Sequence, residues 1–484
     1  MLNPALLTAL GNILPAAAIL TAAEDTRPYE CDGLTLFREQ PGAVLLPENE
    51  AQVVAIMKLC HAARMPVIAR GAGTGLSGGA RPDRNGVILS LAKFQRILAI
   101  DPQARTATVQ PGVRNLAISQ AVAPYGLHYA PDPSSQLACT IGGNVAENSG
   151  GVHCMKYGLT VHNLRRVRAV LMNGEVIELG GGALDSPGYD LLAVMCGSEG
   201  LLGIVTEVTV KLTPTAEDAK CVLAAFDDVS KASAAVAAII AAGIVPSGLE
   251  MMDRLTIAAV EPFVHAGYPG DAEAILLCES DGVAAEVAAE VQIVRGLMEA
   301  SGASLVDVST SDEQLARFWS GRKAAFGAAG RISPAYYCMD GTIPRRALAP
   351  VLKRIAELSA EFGLPCMNVF HAGDGNLHPL ILYDPNRAGD AEKTQAFGAK
   401  VLELCIEVGG TITGEHGVGV EKLREMCIQF EKPELERFHG VKHAFDPEGL
   451  LNPGKAVPTL HRCAEMGRMH VHRGALPHPD LPRF

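Results

Sequence analysis

Apolar and polar positions along the first half of the chain change between helical and strand spacing, which predicts an α+β fold. The spacing predicts a helix, three strands and a second helix over residues 50–64, 67–69, 87–91, 106–109 and 115–125. Asn173-Gly174 separates two alternating stretches within 164–179, as in a β-hairpin, and residues 203–212 alternate as a further strand. This unit is therefore predicted to be a mixed domain whose elements are joined by glycine-rich loops.

A second pattern of apolar and polar positions begins after Pro214. Strands and helices are predicted to alternate over residues 221–226, 231–242, 248–252, 274–278 and 284–301. Such a pattern is typical of an open sheet backed by amphipathic helices. A final helix over 432–444 and the segment Phe445 to Pro453 are expected to return to the first unit. The predicted parts are an N-terminal helical segment, a first domain, a second domain and a C-terminal segment, over residues 1–40, 41–216, 217–430 and 431–484.

The N-terminal residues 5–23 are apolar and rich in alanine, but Gly11 and Pro15 interrupt them. A membrane-spanning helix needs about 20 consecutive apolar residues, and a secretory signal begins with basic residues. The segment is therefore predicted to be a packed helix that is broken at Pro15.

Charge and cysteine usage narrow the class of protein. The net charge of −12, without a block of Lys or Arg, argues against nucleic acid or an anionic membrane surface as the main partner. The twelve cysteines are scattered singly, with no Cys-x-x-Cys pair. This spacing predicts reduced, mostly buried thiols and no iron–sulfur cluster of ordinary spacing within the chain. At 484 residues, two or three domains with room for a large cofactor are expected.

Two glycine-rich regions lie in the first domain. The segment Arg70–Gly79 contains Gly-x-Gly-x-x-Gly, but it leads into a strand rather than a helix, which argues against a dinucleotide fingerprint. Because glycine tolerates positive φ, the many N–H groups of such a loop can surround a phosphate. Residues 131–135 and 141–151 offer similar small residues and amide side chains. Two such regions suggest an extended, phosphate-bearing cofactor.

Two histidines of the second domain flank a turn signal. Asp374-Gly375 favours a two-residue type I′ turn, and apolar runs lie on either side of it. In that register His371 lies opposite His378, with Cβ atoms roughly 4.5–5.5 Å apart on one face of the sheet. The two imidazoles could then bind one ion.

Glu415 is the natural third ligand, because two His and one carboxylate form a common ligand set for catalytic zinc. Zinc is therefore the expected metal. The same ligand set also holds Fe(II), so iron and manganese stay as alternatives. His416 would lie beside the ion and be free to act as a base. The alternative is that the histidines cap a surface hairpin and Glu415 is a solvated loop carboxylate.

Four segments together resemble the FAD-binding domain of the vanillyl-alcohol oxidase superfamily, and they are Arg70–Gly79, Pro131–Gly151, Gly197–Val205 and Asn452–Lys455. The two histidine motifs resemble the D-2-hydroxyacid dehydrogenase branch of that superfamily. The resemblance covers the chain from about Arg27 to its end. It implies a two-lobed FAD-binding domain, an α+β substrate domain with an antiparallel sheet that carries the metal site, and C-terminal helices that return to the FAD-binding domain.

The resemblance also implies which residues bind the cofactor. The matching FAD-binding residues are Arg70, Gly71, Gly73, Thr74, Gly75, Leu76, Ser77, Gly78, Pro131, Asp132, Ser135, Gly142, Gly143, Asn144, Asn148, Gly151, Glu199, Gly200, Ile204, Val205 and Asn452. Some relatives attach the flavin covalently through a histidine in the first loop. That loop has no histidine here, so non-covalent FAD is implied.

The implied chemistry is oxidation of a 2-hydroxy acid. His371, His378 and Glu415 match the metal ligands of the branch, and the ion would bind the substrate's hydroxyl and carboxylate oxygens. His416 would take the hydroxyl proton while hydride passes to flavin N5, which leaves a 2-oxo acid. Arg322 is the candidate to hold the substrate carboxylate in a bidentate fork. The alternative for Arg322 is a salt bridge on a helix surface.

The implied substrate is glycolate, which would become glyoxylate, or D-lactate or another short D-2-hydroxy acid. Electrons would pass to quinone through an iron–sulfur subunit of a complex that also holds a second flavin-type subunit, on the cytoplasmic face of the inner membrane. The tail from Val457 is predicted to dock on a partner, and a second metal site at its histidines is the alternative, at His461, His470, His472 and His478. Two other functions stay open. They are a stand-alone D-lactate or D-2-hydroxyglutarate dehydrogenase and a non-catalytic electron-relay flavoprotein.

Overall fold

The computed structural model describes residues 3–183 and 188–459, so the predictions for the histidines of the tail lie outside the described residues. Helix α1 is Pro4–Gly11, and its first turn is capped because the Asn3 side chain accepts a hydrogen bond of 2.9 Å from Ala5 N–H. Leu6 and Leu10 are buried, and the helix ends before Pro15, as predicted. Among the described residues no helix is long and apolar enough to cross a membrane.

The first lobe is built on two sheets. The four-stranded sheet has the order β1-β2-β4-β3, and its strands are β1 (Ile19–Leu20), β2 (Ala43–Leu45), β3 (Val67–Arg70) and β4 (Val87–Ser90). Strands β2 and β3 both run parallel to β4. A separate antiparallel sheet has the order β5-β6-β10-β8-β9, and its strands are β5 (Ile97–Asp101), β6 (Thr106–Val109), β8 (Leu164–Val170), β9 (Val176–Gly180) and β10 (Ile204–Lys211). A small ribbon pairs β7 (Leu127–His128) with β11 (Thr213–Pro214).

The second lobe is built on one seven-stranded antiparallel sheet. Its order is β15-β12-β14-β13-β17-β18-β16, and its strands are β12 (Asp218–Phe226), β13 (Gly248–Asp253), β14 (Ala274–Gly282), β15 (Leu305–Val308), β16 (Ala335–Cys338), β17 (Cys366–His371) and β18 (Pro379–Tyr383). This confirms the predicted antiparallel sheet of the substrate domain.

Helices cover these sheets. Those of the first lobe are α2 (Ala23–Thr26), α3 (Glu50–Ala62), α4 (Asn115–Val122), α5 (Ile141–Glu147), α6 (Cys154–Tyr157) and α7 (Leu191–Met195). Those of the second lobe are α8 (Val229–Ala241), α9 (Arg254–Val264), α10 (Ala284–Ala300), α11 (Asp312–Ala329), α12 (Leu348–Phe362), α13 (Asp390–Glu407) and α14 (Leu423–Gln429). The last helix is α15 (Lys432–Phe445), and short 3₁₀ turns occur at residues 16–18, 27–29, 123–125, 160–163 and 345–347.

Both faces of the second sheet are buried. Along β12, Val222 and Ala224 pack with helices α8, α10, α12 and α13, whereas Leu223 and Ala225 pack with α9 and α11. Successive side chains of a strand point to opposite faces, so a sheet covered on both sides needs apolar residues at every position. This explains why the strand appears in the sequence as a continuous apolar run.

After α15 the chain returns to the first lobe, as predicted, because Lys442 Nζ donates hydrogen bonds to the carbonyls of Leu201 and Leu451. The α+β architecture is confirmed, whereas the domain boundaries stay a prediction. Ten of the cysteines that the structure describes are free thiols. Cys427 is disulfide-bonded, so the prediction of reduced thiols is wrong at that position.

Candidate active site

A cavity of about 540 Å³ lies where the two lobes meet, and both glycine-rich regions line it. The predicted cofactor residues on its wall are Arg70, Gly71, Gly73, Thr74, Gly75, Leu76, Ser135, Gly142, Gly143, Asn144, Glu199, Gly200 and Val205. His378, Glu415 and His416 line the same cavity. Two sets of residues that are far apart in the sequence therefore share one space.

The other predicted cofactor residues lie behind this wall or away from it, and they are Ser77, Gly78, Pro131, Asp132, Asn148, Gly151, Ile204 and Asn452. Asn452 has a supporting role, because its Nδ2 donates hydrogen bonds to the carbonyls of Gly79 (3.0 Å) and Glu199 (2.6 Å). Asn452 thereby joins the end of the first glycine loop to the third segment of the predicted site.

The first glycine loop is arranged to receive an anion. Within the described residues, the N–H groups of residues 71–79 donate no hydrogen bond to the protein. Gly73 has φ of 72°, and a Cβ at this position would collide with the guanidinium of Arg70. A series of free N–H groups at a cavity wall is the arrangement that binds phosphate.

Three oxygen atoms on the cavity wall are buried and have no hydrogen-bond partner among the described residues, and they belong to Asp32, Thr140 and Glu147. Burial, reinforced by the charge of Glu199, raises the pKa of Glu147 well above its ordinary value. A protonated Glu147 can donate as well as accept a hydrogen bond. Buried polar atoms are rarely left unpaired in folded proteins, so these three atoms fit a polar ligand such as a phosphate-bearing cofactor.

The hairpin of His371 and His378 forms, but the predicted register is wrong by two residues. His371 pairs with Asn376 rather than with His378, and the His371 N–H donates to the Asn376 carbonyl at 3.1 Å. Of the turn pair, Gly375 has positive φ (83°) whereas Asp374 does not, so the turn is not type I′. Instead, Asp374 Oδ1 accepts a hydrogen bond from Asn376 N–H (3.0 Å), which stabilises a longer loop.

The two imidazoles nevertheless meet Glu415. His378 Nε2 lies 3.0 Å and His371 Nε2 lies 3.4 Å from Glu415 Oε1. One ligand atom from each residue lies within 4.8 Å of the other two. Burial by itself would raise the pKa of Glu415, but hydrogen bonds to the two histidines outweigh it and hold that pKa well below its ordinary value. Glu415 is therefore a carboxylate, as a metal ligand must be.

A second set of metal-ligating atoms shares His378, because Cys338 and His416 lie within 4.8 Å of it. Burial raises the pKa of the Cys338 thiol well above its ordinary value, and Asp340 raises it further. Only a thiolate binds a metal strongly. The set with His371 and Glu415 is therefore the better ligand set.

A buried ion pair orients His371 from behind. Glu250 Oε1 lies 2.6 Å from His371 Nδ1, and Glu250 Oε2 accepts a hydrogen bond from Arg322 Nε (2.6 Å). Burial would lower the pKa of His371, but the charge of Glu250 outweighs it and raises that pKa well above its ordinary value. Histidines that bind a metal usually bond a carboxylate through their other ring nitrogen, and Glu250 provides that carboxylate.

Arg322 does not lie on a helix surface, because its side chain is 2% exposed. The alternative of a surface salt bridge is therefore wrong. Among the described residues Arg322 Nη2 has no hydrogen-bond partner, and Arg322 lies behind the cavity wall rather than on it. The role of Arg322 in holding a substrate carboxylate stays a prediction.

Asp340 holds the loop that carries Glu415 and His416. Its carboxylate accepts hydrogen bonds from the N–H groups of Glu415 (3.1 Å) and His416 (2.9 Å), and from Lys422 Nζ (3.1 Å). It also accepts a bond from Asn376 Nδ2 (2.9 Å), so the same carboxylate joins this loop to the histidine hairpin. Asp340 and Lys422 are both fully buried.

The surroundings of His416 keep its imidazole neutral. Its ring stacks on that of His378 with centroids 4.9 Å apart, and its buried Nδ1 has no hydrogen-bond partner in the described part of the chain. Burial lowers the pKa of His416 to about 4, so the imidazole is neutral near pH 7. A neutral imidazole on the wall of a cavity can take a proton from a bound ligand.

Several residues of the site were missed in the sequence. The supporting residues Glu250 and Asp340 carried no signal beyond a charge within mostly apolar surroundings, which is a sign of a paired buried group, and Lys422 carried none because it lies among other charged residues. Phe326 and Tyr336, which also line the cavity, were not singled out either. Helix α11, which carries Phe326, was implied only by the helix-surface alternative for Arg322, without bounds.

Comparisons with known proteins agree with this arrangement. A family described as "FAD binding domain" matches residues 41–180, and one described as "FAD linked oxidases, C-terminal domain" matches residues 215–456. The glycolate oxidase subunit GlcD of Escherichia coli is 60% identical, over 99% of this chain and 96% of its own length. The GlcD subunit of Bacillus subtilis is 39% identical, over 88% and 91%.

More distant relatives extend the comparison. A D-lactate dehydrogenase of Anaerostipes hadrus is 32% identical, over 91% of this chain and 95% of its own length. The solved structure of p-cresol methylhydroxylase has a TM-score of 0.79 at 18% identity and covers 94% of this chain and 96% of its own, so it shares the fold. The chain therefore belongs to the FAD-linked oxidases, a family of flavoprotein oxidoreductases, as the resemblance of its glycine loops and histidine motifs implied.

Proposed function

We propose that this protein oxidises glycolate to glyoxylate and is the flavin-binding subunit of a glycolate-oxidising complex. The observation that carries the proposal is the single cavity that joins the glycine loops to His378, Glu415 and His416. The 60% identity to a glycolate oxidase subunit, against 32% to a D-lactate dehydrogenase, favours glycolate over a longer acid.

We further propose that His371, His378 and Glu415 hold a divalent ion, most simply zinc. The fit rests on the anionic state of Glu415, on the short distances within the set and on the carboxylate of Glu250 behind His371. When bound, the ion would polarise the substrate's hydroxyl oxygen as a Lewis acid. The remaining FAD-binding residues predicted behind the cavity wall are proposed to act by positioning the loops.

We assign separate roles in the reaction to FAD, His416 and Arg322. FAD, when bound, supplies the hydride acceptor. His416 takes the proton of the substrate hydroxyl, because it is neutral and has a ring nitrogen without a partner. Arg322 holds the substrate carboxylate through Nη2, the guanidinium nitrogen that has no partner, while its Nε stays bonded to Glu250.

Reoxidation requires an electron acceptor outside this chain. We propose that an iron–sulfur subunit passes the electrons to quinone, in a complex that also contains a second flavin-type subunit. The sequence spacing of the cysteines supports an external cluster. Through that complex the protein would lie on the cytoplasmic face of the inner membrane. Co-purification of the untagged chain with an iron-containing partner, and loss of the partner's iron signal from membranes without it, tests this assembly.

Anaerobic titration of the purified holoprotein tests the activity. Glycolate is expected to bleach the oxidised flavin absorbance, D-lactate to bleach it more slowly and D-2-hydroxyglutarate to leave it unchanged. Removal of the metal with a chelator is expected to stop bleaching without releasing FAD, and added zinc, iron or manganese identifies the ion that restores it. Bleaching by D-2-hydroxyglutarate alone would instead identify the protein as a dehydrogenase of a longer acid. If no 2-hydroxy acid bleaches the flavin, the non-catalytic relay is the better assignment.

A further inference from the structure

Two aromatic rings line the cavity beside the proposed metal ligands. Phe326 on α11 and Tyr336 on β16 have ring centroids 5.9 Å apart in an edge-to-face arrangement. Both rings are partly buried against the apolar cluster on one face of the second sheet, and Leu76 of the first glycine loop packs on the same cluster. The rings are therefore held by the core of the second lobe, and they form a firm apolar wall.

The strand geometry places this wall close to the ligands. Tyr336 and Cys338 are two residues apart on β16, so they share one face of the strand, about 7 Å apart along it. The Cys338 sulfur lies within 4.8 Å of ring nitrogens of His378 and His416. The two rings and the histidines therefore lie on neighbouring parts of one cavity wall, so the carbon chain of an acid held at the histidines can reach the rings.

Positively charged side chains are sparse on the cavity wall. Among the described residues, the lysines and arginines on its wall are Arg70 and Lys323. Arg70 is bonded to the carbonyl of Cys31 (2.7 Å) at the glycine loop. Lys323 lies one turn before Phe326 on α11 and its side chain is exposed, so it lies toward solvent from the rings. The two rings therefore offer mainly apolar carbon to the far end of a longer acid, and the Tyr336 hydroxyl is the one polar group that they carry.

Resting on the proposed function, we infer that Phe326 and Tyr336 set the length of the 2-hydroxy acid. The wall admits acids of two or three carbons and excludes longer and dicarboxylic acids. One methylene group against an apolar wall typically changes specificity by about 10-fold or more. Shortening Phe326 opens the space that a fourth carbon needs.

The test compares Phe326→Ala with the unchanged holoprotein. Dissociation constants are measured for glyoxylate, pyruvate, 2-oxobutyrate and 2-oxoglutarate from the perturbation of the oxidised flavin spectrum, a readout that needs no turnover. Phe326→Ala is expected to bind 2-oxobutyrate about 10-fold more tightly than the unchanged protein, with binding of glyoxylate changed by less than about threefold. Phe362→Ala is the matched control, because the Phe362 ring stacks on Phe397 in the other cluster of the second lobe. It is expected to leave all four constants unchanged.

The outcomes separate this inference from the proposed function. If Phe326→Ala keeps the preference between glyoxylate and 2-oxobutyrate while glycolate still bleaches the flavin, only the inference that the rings set the length of the acid is contradicted. If Phe326→Ala does not fold, Phe326→Leu and Tyr336→Leu are measured in its place with the same criterion. The inference is also contradicted if the unchanged protein binds 2-oxoglutarate tightly and Lys323→Met does not. Lys323 would then be the partner of the second carboxylate. Failure of every 2-oxo acid to bind and of every 2-hydroxy acid to bleach overturns the proposed function itself.

Discussion

The glycine loop at residues 71–79 and the histidine cluster at Glu415 face one cavity but are built in opposite ways. Within the part of the chain that the structure describes, the N–H groups of this loop donate no hydrogen bond to the protein, and most of its side chains are small. The cluster offers side chains that are each fixed by a second buried group, as Glu250 fixes His371 and Asp340 fixes the backbone at His416. Binding by the loop depends on its backbone conformation. Binding by the cluster depends on the buried hydrogen-bonding groups that hold its side chains. Substitutions in the loop should therefore weaken FAD binding, whereas substitutions in the cluster should affect metal binding, turnover or stability.

The largest expected effect separates metal from flavin. His371→Ala should remove the metal and slow flavin reduction by glycolate about 10³-fold or more, because Lewis-acid activation of a hydroxyl contributes several kcal/mol. FAD content should stay stoichiometric, since the glycine loops do not contact this side chain. Metal analysis, flavin absorbance and stopped-flow bleaching measure the three quantities. His61→Ala on α3, where His61 pairs with Glu448 at the surface, is the control. Turnover equal to that of the control would refute the metal mechanism.

The next effect is on stability. Asp340→Ala leaves the buried Lys422 ammonium and the N–H groups of Glu415 and His416 without their acceptor. Removing one partner of a buried ion pair typically costs about 3–5 kcal/mol of unfolding free energy. Urea denaturation measures this loss. Asp227→Ala is the matched control, because Asp227 pairs with Lys231 on the exposed surface and its loss should leave stability nearly unchanged. Similar losses in the two variants would contradict the central role given to Asp340.

The backbone site has its own test. Gly73→Ala forces a side chain into positive φ and against the Arg70 guanidinium, so FAD affinity should fall about 10-fold or more while metal content is unchanged. Gly126→Ala has a similar φ of 67° but no atom within 4 Å of the added Cβ, and it lies away from the cavity. It therefore reports the strain alone. If both variants bind FAD equally, conformation at Gly73 does not control the loop.

The smallest effect concerns the contact between the lobes. His153 Nδ1 lies 2.7 Å from Asp132 Oδ2 and its Nε2 lies 3.3 Å from Glu279 Oε1. Burial would lower the pKa of His153, but Asp132 outweighs it and raises that pKa well above its ordinary value. A raised pKa stabilises the fold below the unfolded-state pKa of about 6.5, and this contribution is lost as pH rises through the folded-state pKa. His153→Gln should therefore cost about 1 kcal/mol near pH 6 and less near pH 10. A loss independent of pH would mean that the charge of His153 does not matter.

The histidine hairpin illustrates how sequence reasoning can fail without losing the site. The prediction placed His371 opposite His378, whereas His371 pairs with Asn376. Side chains alternate with a period of two, so an error of two residues keeps both histidines on one face. Their rings remain neighbours, with centroids 5.1 Å apart. An error of one residue would have separated them.

Arg322 illustrates the opposite case. Its position after the tryptophan of α11 suggested either a substrate contact or a surface salt bridge. Its actual partner is Glu250, a residue of β13 whose importance no local pattern indicated. Partners that meet through a sheet and a helix are distant in sequence. Local spacing therefore carries no information about them, and the same reasoning applies to Asp340 and Lys422.

The sequence by itself determined the α+β class, most strands and helices, the glycine loops and the group of His371, His378, Glu415 and His416. These features depend on spacing within a few residues, since hydrophobic period, turn chemistry and positive φ are local properties of the chain. Only the tertiary structure decided that the loops and the histidines line one cavity, that Glu250 and Asp340 orient the cluster and that Phe326 and Tyr336 form its apolar wall. These contacts join residues from separate elements, and their positions are decided by how the sheets and helices pack, which no short stretch of sequence records.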